Sequence, residues 1–368
     1  MSALSTKDLM FQEWWPVGLA AISAALLMPL AIRARTIGRD LVDGVQRLHQ
    51  APTSRLGGCY VFIAYLIALV AGSYFDQRVL ERAIPLLLCS LPVVLLGAWE
   101  DITGKVRPRY RLAGALGSAM LATWYAGGIV TRLDLPIVDG WLAYAGFMLP
   151  LTWFMTAGAC NAVNLIDGTH GLAGGTTQMM FAGLAIAAAL AGDLSVAAQS
   201  LVVMGAIFGF LVWNYPHGKV FLGDAGAYFL GFMYAELSMQ LIARNASISA
   251  WFVIALAAYP IVETAYSIYR RKVLRVPSMA ADAAHLHSLV FRRLARAEGV
   301  AHDGPAINRT NARVALSLWL HAAICLVAAV LLRGSATALI GFTLCYAGFY
   351  VACYRRVAHF DVKPAANL

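Results

Sequence analysis

Apolar runs of near-uniform length recur from one end of the chain to the other, separated by short polar segments rich in arginine. A helix that crosses a bilayer needs about 20 predominantly apolar residues. The pattern therefore predicts eleven spans, at 14–33, 57–74, 83–99, 112–130, 142–163, 171–191, 196–213, 225–243, 250–269, 314–332 and 336–353. This is the layout of an all-α polytopic membrane protein. No hydrophilic block is large enough for a separate soluble domain, so residues 1–368 read as one domain. The long segment after Arg270 is too polar and basic to be buried, which predicts an arm over residues 270–313 that covers one mouth of the bundle. The first run follows Trp14 and Trp15 and lacks a basic leader, so it is expected to stay as the first span rather than be cleaved. No internal repeat or low-complexity tract is visible.

Composition agrees with the pattern: 60% of the 368 residues are hydrophobic and only 13% are charged, outside the range of ordinary soluble domains. The formal net charge of +9 raises nucleic acid as a partner, but the basic residues are scattered among apolar runs and form no stripe or recognised binding module. Membrane orientation explains them better. Placing alternate loops on opposite sides puts 22 basic residues on one side and 6 on the other, which accounts for all 28. Cytoplasmic loops hold the excess, so the N-terminus is expected outside and the C-terminus in the cytoplasm. The six cysteines lie inside apolar runs without metal-type spacing, and read as packing residues.

The same sorting collects the polar chemistry on the cytoplasmic side and leaves the outer loops short and nearly featureless. Span three ends in GAWEDITGKVRPRYRL, where Glu100 and Asp101 precede Lys105, Arg107, Arg109 and Arg111. Such a segment is either a solvated, positively charged boundary or an anionic-substrate site, with cations for phosphates and a carboxylate for a proton or a metal. Span five ends in NAVNLIDGTHGLAGG. Asn161 and Asn164 share a helical face, Asp167 follows three residues later, and Gly168 can break the helix and turn all three into one pocket. Amides alone could be interhelical glue. Together with a carboxylate they suit magnesium, which takes one or two protein carboxylates beside waters and substrate phosphates. His170 by itself reads as a hydrogen-bonded interface residue.

Between spans seven and eight lies NYPHGKVFLGDAGAYFLG. Asp224 stands where an apolar run begins, between Gly223 and Gly226, either as a helix cap or as a second metal-ligand candidate beside Asn164 and Asp167. Asn214 and Lys219 of the same segment join the candidate substrate contacts. Glu263 lies about two turns inside span nine, where an acidic residue is a functional candidate or an arginine partner. In the arm, His285 and His287 are two apart, a spacing that suits a loop reaching into a site rather than one helical face.

Taken in order, Glu100-Asp101, NAVNLIDGTHGL, VFLGDAG, Pro260-Ile261-Val262-Glu263 and His285-Leu286-His287 resemble the polyprenyl-phosphate N-acetylhexosamine-1-phosphate transferases, glycosyltransferase family 4. The early segment His49-Gln50-Ala51-Pro52-Thr53-Ser54-Arg55-Leu56-Gly57-Gly58 is similar to that family's H-x-x-P-T-P-R-x-G-G. The resemblance covers roughly residues 45–300. Its bacterial branch that starts surface polysaccharides such as O-antigen fits better than the peptidoglycan branch, because the arm reads HLHS and lacks a triple-histidine signature.

The resemblance implies transfer of a sugar-1-phosphate from a UDP-N-acetylhexosamine to undecaprenyl phosphate, with UMP leaving, at the cytoplasmic face of a bacterial inner membrane. It implies Mg2+, or Mn2+ in its place, on Asp224 with Asn164 or Asp167 as second contact. Arg111 and Lys105 would hold the diphosphate, His170 would face the uracil, and His285 and His287 would face the sugar and its phosphate. Glu100 and Asp101 would act on the lipid phosphate, as base or as organiser. The chain departs from the family at Glu100, His170, Ala227 and Ser288, where Asp, Asp or Asn, Ser and His are usual. Small residues in several spans permit helix association, a homodimer included. A different class, a transporter or lipid flippase coupling through Glu263 and Asp224, would carry polar groups at mid-bilayer and on both faces.

Overall fold

The computed structural model describes residues 6–33, 39–40, 53–74, 77–275, 284–299 and 305–358. His49 to Pro52 of the early motif, Arg35, Arg47 and Lys363 of the charge count, and residues 276–283 and 300–304 of the arm lie outside the described residues. Helices occupy all eleven stretches expected as spans. In chain order they are α1 (Thr6–Arg33), α2 (Gly57–Ser73), α3 (Gln77–Thr103), α4 (Pro108–Tyr125), the short α5 (Pro136–Trp141), α6 (Ala145–Leu165), α7 (Leu172–Ala191), α8 (Leu194–Asn214) and α9 (Gly223–Arg244). Then follow α10 (Trp251–Leu256), α11 (Ala258–Val273), α12 (Leu286–Ala297), α13 (Pro305–Leu332) and α14 (Ala336–Ala358). The sheet among the described residues is a two-residue antiparallel ladder, β1 (Arg39–Asp40) with β2 (Thr53–Ser54). Six helices are long and apolar enough to cross a membrane: residues 15–33, 81–103, 172–191, 194–214, 306–332 and 336–358.

The bundle is organised around α9. Its sequence GDAGAYFLGFMYAELSMQLI has no polar face, and a helix that is apolar all round must be enclosed by others. From Gly223 to Met239 every residue is buried. Helices α2, α3, α4, α6, α7 and α8 pack against it, while leucines such as Leu26, Leu88 and Leu331 on outer helices face outward. Large apolar side chains on the perimeter are what a lipid surround requires.

Two sequence expectations need correction. The single span 250–269 is two helices, broken at Ala257. Pro260 supplies the reason, since its ring clashes with the carbonyl four residues back, at Leu256, and it donates no hydrogen bond to it. The loops opposite the candidate site are also not featureless. Arg132 donates to the carbonyls of Ile248 and Asn245 and pairs with Asp134, which in turn accepts from Ser249 Oγ at 2.6 Å and Ala250 N at 2.7 Å. Burial pushes the Asp134 carboxyl up, but the Ser249 hydroxyl, Arg132 and the Ala250 N–H outweigh it and hold the group below its ordinary value. Its stabilising contribution is therefore present above the unfolded-state value and fades as the pH falls through the lower folded-state value. Asp134→Ala is expected to cost about 1–2 kcal/mol, as a lost set of partly buried hydrogen bonds does. A thermal melt in detergent near pH 7 checks this, and the gap from wild type should close in strong acid.

Candidate active site

The site begins with the start of α9. Gly223 has φ +72, and a Cβ there would run into the Arg55 carbonyl and the Asp101 carboxylate. The chain therefore turns into α9 with Asp101 directly over its first turn. The two Asp101 oxygens accept from Asp224 N at 2.8 Å and Ala225 N at 2.9 Å. A helix leaves its first N–H groups without internal partners. Here a carboxylate from the end of α3 satisfies two of them and places negative charge at the positive end of the helix.

Asp224 then projects into a cluster of donors. Its Oδ1 accepts from Arg55 Nη2 and Asn164 Nδ2, both at 3.1 Å, and its Oδ2 from Arg111 Nη1. Arg55 reaches this place because residues 54–58 zip along the approach to α9. Phe221 N donates to Ser54 O, Gly57 N to Phe221 O and Gly58 N to Leu222 O, at 2.8, 3.0 and 2.8 Å. Gly58 lies against the backbone of Gly226 so closely that any side chain would overlap it. Arg55 Nε also stands 3.5 Å from Asp101.

Beside this cluster opens a cavity of about 1430 Å³. One wall is polar, with Arg55, Arg111, Asn161, Asn164, Asp167 and His170. Arg109, Arg271 and Lys272 add cations at its rim. Farther along α4 and α6 the lining turns apolar, with Leu112, Leu116, Met120, Trp153 and Phe154. The cavity thus joins an electropositive end, suited to a polyanion, to a groove suited to a hydrocarbon chain.

Other candidates take more definite places. Asn164 is at the cluster, whereas Asn161 accepts from Tyr228 Oη at 3.2 Å and donates to Ala157 O at 2.8 Å. Its amide ties α6 to α9. Asn214 holds the turn after α6 against the segment before α9, accepting from Gly171 N at 2.6 Å and donating to Val220 O at 2.7 Å. His170 places Nδ1 3.3 Å from Pro216 O and packs on the Phe221 ring. The histidines of the arm stack at 5.5 Å and line the cavity, and His287 lies against Gly168. Beneath them, fully buried Glu263 accepts from His285 Nδ1 at 3.1 Å, Leu286 N at 3.3 Å and Tyr350 Oη at 2.6 Å. Glu263 thereby anchors the start of α12 to α11 and α14, as a positioning residue.

Three candidates stand apart from the cluster. Glu100 turns away and accepts from Val106 N at 2.7 Å, closing the α3–α4 loop. Lys105 is exposed and is not part of the cavity wall. Lys219 lies over the Trp213 ring, also outside that wall. Sequence reasoning assigned no role to Arg55, Ser267, Tyr350 or Asn311. Arg55 was within the motif and could have been found, whereas Tyr350 on α14 carries no local signal. A buried carboxyl in mid-α9, Glu236, was also missed. It accepts from Thr156 and has no counterpart in the cavity.

Among the described residues, no group of three or more His, Cys, Asp or Glu side chains could hold a metal by themselves. The donors present are Asp224 and the cavity-lining Asp167, with amides beside them. That set fits magnesium, which draws most of its ligands from water and substrate phosphates.

Known proteins are similar to this chain in sequence. A model of glycosyl transferase family 4 matches residues 83–242, which run from within α3 to near the end of α9. A probable undecaprenyl-phosphate N-acetylglucosaminyl 1-phosphate transferase of Bacillus subtilis is 27% identical over 275 residues, covering 72% of this chain and 74% of its own. The undecaprenyl-phosphate alpha-N-acetylglucosaminyl 1-phosphate transferase of Thermotoga maritima is 28% identical over 278 residues, covering 75% and 81%. The phospho-N-acetylmuramoyl-pentapeptide-transferase of Halalkalibacterium halodurans is 31% identical over 238 residues, covering 60% of this chain and 73% of its own. With its capped α9, its arginine-clamped aspartate and its half-apolar cavity, the chain belongs to glycosyl transferase family 4, the polyprenyl-phosphate hexosamine-1-phosphate transferases.

Proposed function

We propose that this enzyme transfers a sugar-1-phosphate from a UDP-N-acetylhexosamine to undecaprenyl phosphate, at the cytoplasmic face of a bacterial inner membrane, and so starts a cell-surface glycan such as O-antigen. The observation that carries the reading is the single cavity in which an arginine-clamped aspartate and a long apolar wall meet. A diphosphate and an isoprenoid tail can share it, with their phosphates side by side. An oxygen of the lipid phosphate attacks the sugar-bearing phosphorus of the donor. A new P–O bond forms between that oxygen and the phosphorus, the bond from the phosphorus to the bridging oxygen of the donor diphosphate breaks, and UMP leaves carrying the bridging oxygen.

Phosphoryl transfer of this kind asks the protein mainly for positioning and charge neutralisation. Arg55 and Arg111, now on Asp224, can swing onto diphosphate oxygens, and Asp224 and Asp167 are then free to hold the metal. Bound Mg2+ or Mn2+ would supply charge neutralisation at the phosphates. Asp101 keeps α9 and Asp224 aligned. His170 and the Phe221 ring offer a surface for the base, and His285, His287 and Ser288 bound the far end of the cavity, where the sugar fits. The excess of basic residues in the loops on this side supports the cytoplasmic orientation, eleven crossings, and termini on opposite sides.

Full-length protein in detergent, given UDP-N-acetylglucosamine or UDP-N-acetylgalactosamine with magnesium and undecaprenyl phosphate, is expected to release UMP in proportion to lipid-linked sugar. Release from neither donor, or release that does not need the lipid, would refute the reading. The same screen ranks the hexosamines, and cross-linking in membranes reads whether the enzyme is a homodimer.

A further inference from the structure

Four helices that build the active site carry a second cluster at their other ends. Asp101 closes α3 and Arg82 stands in its first turns; Asp224 opens α9 and Arg244 ends it. In the same way Arg111 and Tyr125 mark the two ends of α4, and Asn214 and Ser195 those of α8. At 1.5 Å per residue, Arg82 and Arg244 lie roughly 30 Å from the reacting centre along their helices, the thickness of a bilayer's hydrocarbon core. Arg82, Arg244, Ser195, Gln199, Gln240 and Tyr125 line a pocket of about 320 Å³ there.

Its chemistry is lopsided. Among the described residues, no carboxylate lines it. Asp193, which caps the start of α8, accepts from Val196 N and Asn245 and pairs with Arg244 Nε at 3.2 Å. Gln240 is committed too, its amide donating to Ala126 O at 3.0 Å and its oxygen accepting from Arg244 at 3.0 Å. Arg244 is thereby partly engaged, through Nε with Asp193 and Gln240 O and through Nη2 with Gln240 Oε1, whereas the donors of Arg82, Gln199 and Ser195 stay available. Arg82 makes no ion pair with any described residue, and Glu81 beside it is exposed and outside the pocket wall. Gln199 is 7% exposed, and only its oxygen is used, by Tyr65 Oη at 3.1 Å. The Ser195 hydroxyl has no partner among the described residues. The Arg82 guanidinium, the Arg244 guanidinium held by Asp193 and Gln240, an amide N–H and a hydroxyl, from three helices, thus face one small space, and Pro85, Tyr125 and Ala243 supply its apolar side.

We propose that this pocket is a second anion site, on the membrane face opposite the active site, which binds a phosphate ester at the level of lipid headgroups. Donors in excess of acceptors fit a tetrahedral oxyanion, and arginine is the side chain best suited to it. The apolar flank fits the first methylenes of an ester rather than a second charge. A headgroup with an anionic phosphodiester is favoured over a zwitterionic one, because a choline ammonium would sit beside Arg82 and Arg244.

The test uses full-length protein, delipidated in detergent and then incubated with phosphatidylglycerol bearing a photoactivatable headgroup. Mass spectrometry of peptides is expected to map cross-links to residues 125–127 or 240–244. Arg82→Ala should lower that labelling about fivefold, as loss of one partly exposed charge-assisted contact does, Arg82→Glu should abolish it, and Arg82→Lys should restore most of it. Thermal melts of the three variants that match wild type separate a lost contact from a lost fold. Competition by inorganic phosphate that depends on Arg82 would extend the site to free phosphate; its absence assigns the site to lipid. Labelling that is equal in wild type and Arg82→Glu, or a phosphatidylcholine probe labelling the same peptides as strongly, would overturn the proposal.

Discussion

Asp224→Asn is expected to lower UMP release by about a thousandfold, the scale on which loss of a central charge-organising group acts in electrostatic catalysis. The carboxylate takes donors from Arg55, Arg111 and Asn164 at once. The asparagine amide keeps the shape but carries no charge, and its NH2 would have to face one of those donors. Arg111 then loses its counter-ion, Arg55 keeps only the longer contact to Asp101, and the site loses its strongest oxygen donor for a divalent cation. The enzyme should still insert and elute as a folded species, because the backbone N–H of residue 224 still reaches Asp101. The measurement is initial UMP release over a magnesium titration. Activity within about threefold of wild type, at any magnesium concentration, would remove Asp224 from the centre of the reaction, since such a change is under 1 kcal/mol of barrier.

Asp101→Asn should be nearly as damaging, for a different reason. Asp101 is 3% exposed, and both of its oxygens accept backbone N–H groups of the first turn of α9. Asparagine offers one acceptor and turns an N–H toward the other donor, leaving a buried group unsatisfied at a cost of about 1–3 kcal/mol. The start of α9 must shift, and Asp224 with it. An approximately hundredfold fall in kcat is expected, since displacement of a catalytic group by about 1 Å costs this much, together with a lower melting temperature. The pH profile of the residual activity distinguishes the two roles open to Asp101. An organiser leaves the profile of the wild type unchanged, whereas a general base takes one limb of the profile with it. The capping geometry favours the organiser, and a lost limb would reverse that assignment.

Much of the architecture was legible in the chain. The eleven apolar stretches each became a helix, with the division of 250–269 into α10 and α11 traceable to Pro260. The motif residues Asn164 and Arg111 converge on Asp224, in line with what the family resemblance implied, and the transporter reading gives way to the family match. The roles of other motif residues were less visible. Glu100 and Asp101 are neighbours on one helix turn and so point in different directions, one into the α3–α4 loop and the other onto α9. Asn214 read as a substrate contact and is spent on two backbone groups. Glu263 read as a site carboxylate and instead holds His285 in place from below. In each case the residue type announced a polar task, and only its neighbours in space revealed which one.

The amino-acid sequence by itself determined the membrane-embedded helices, because hydrocarbon demands apolar runs of a set length and helical satisfaction of every backbone group within them. It also determined which short segments carry charge and glycine. The tertiary structure decided which donor meets which acceptor: Asp101 with the N–H groups of α9 across 123 and 124 positions, Arg55 with Asp224 across 169, and Tyr350 with Glu263 across 87. Those pairings depend on how helices pack side by side, which no local period encodes. The anion pocket at the far end of α3, α4, α8 and α9 exists for the same reason.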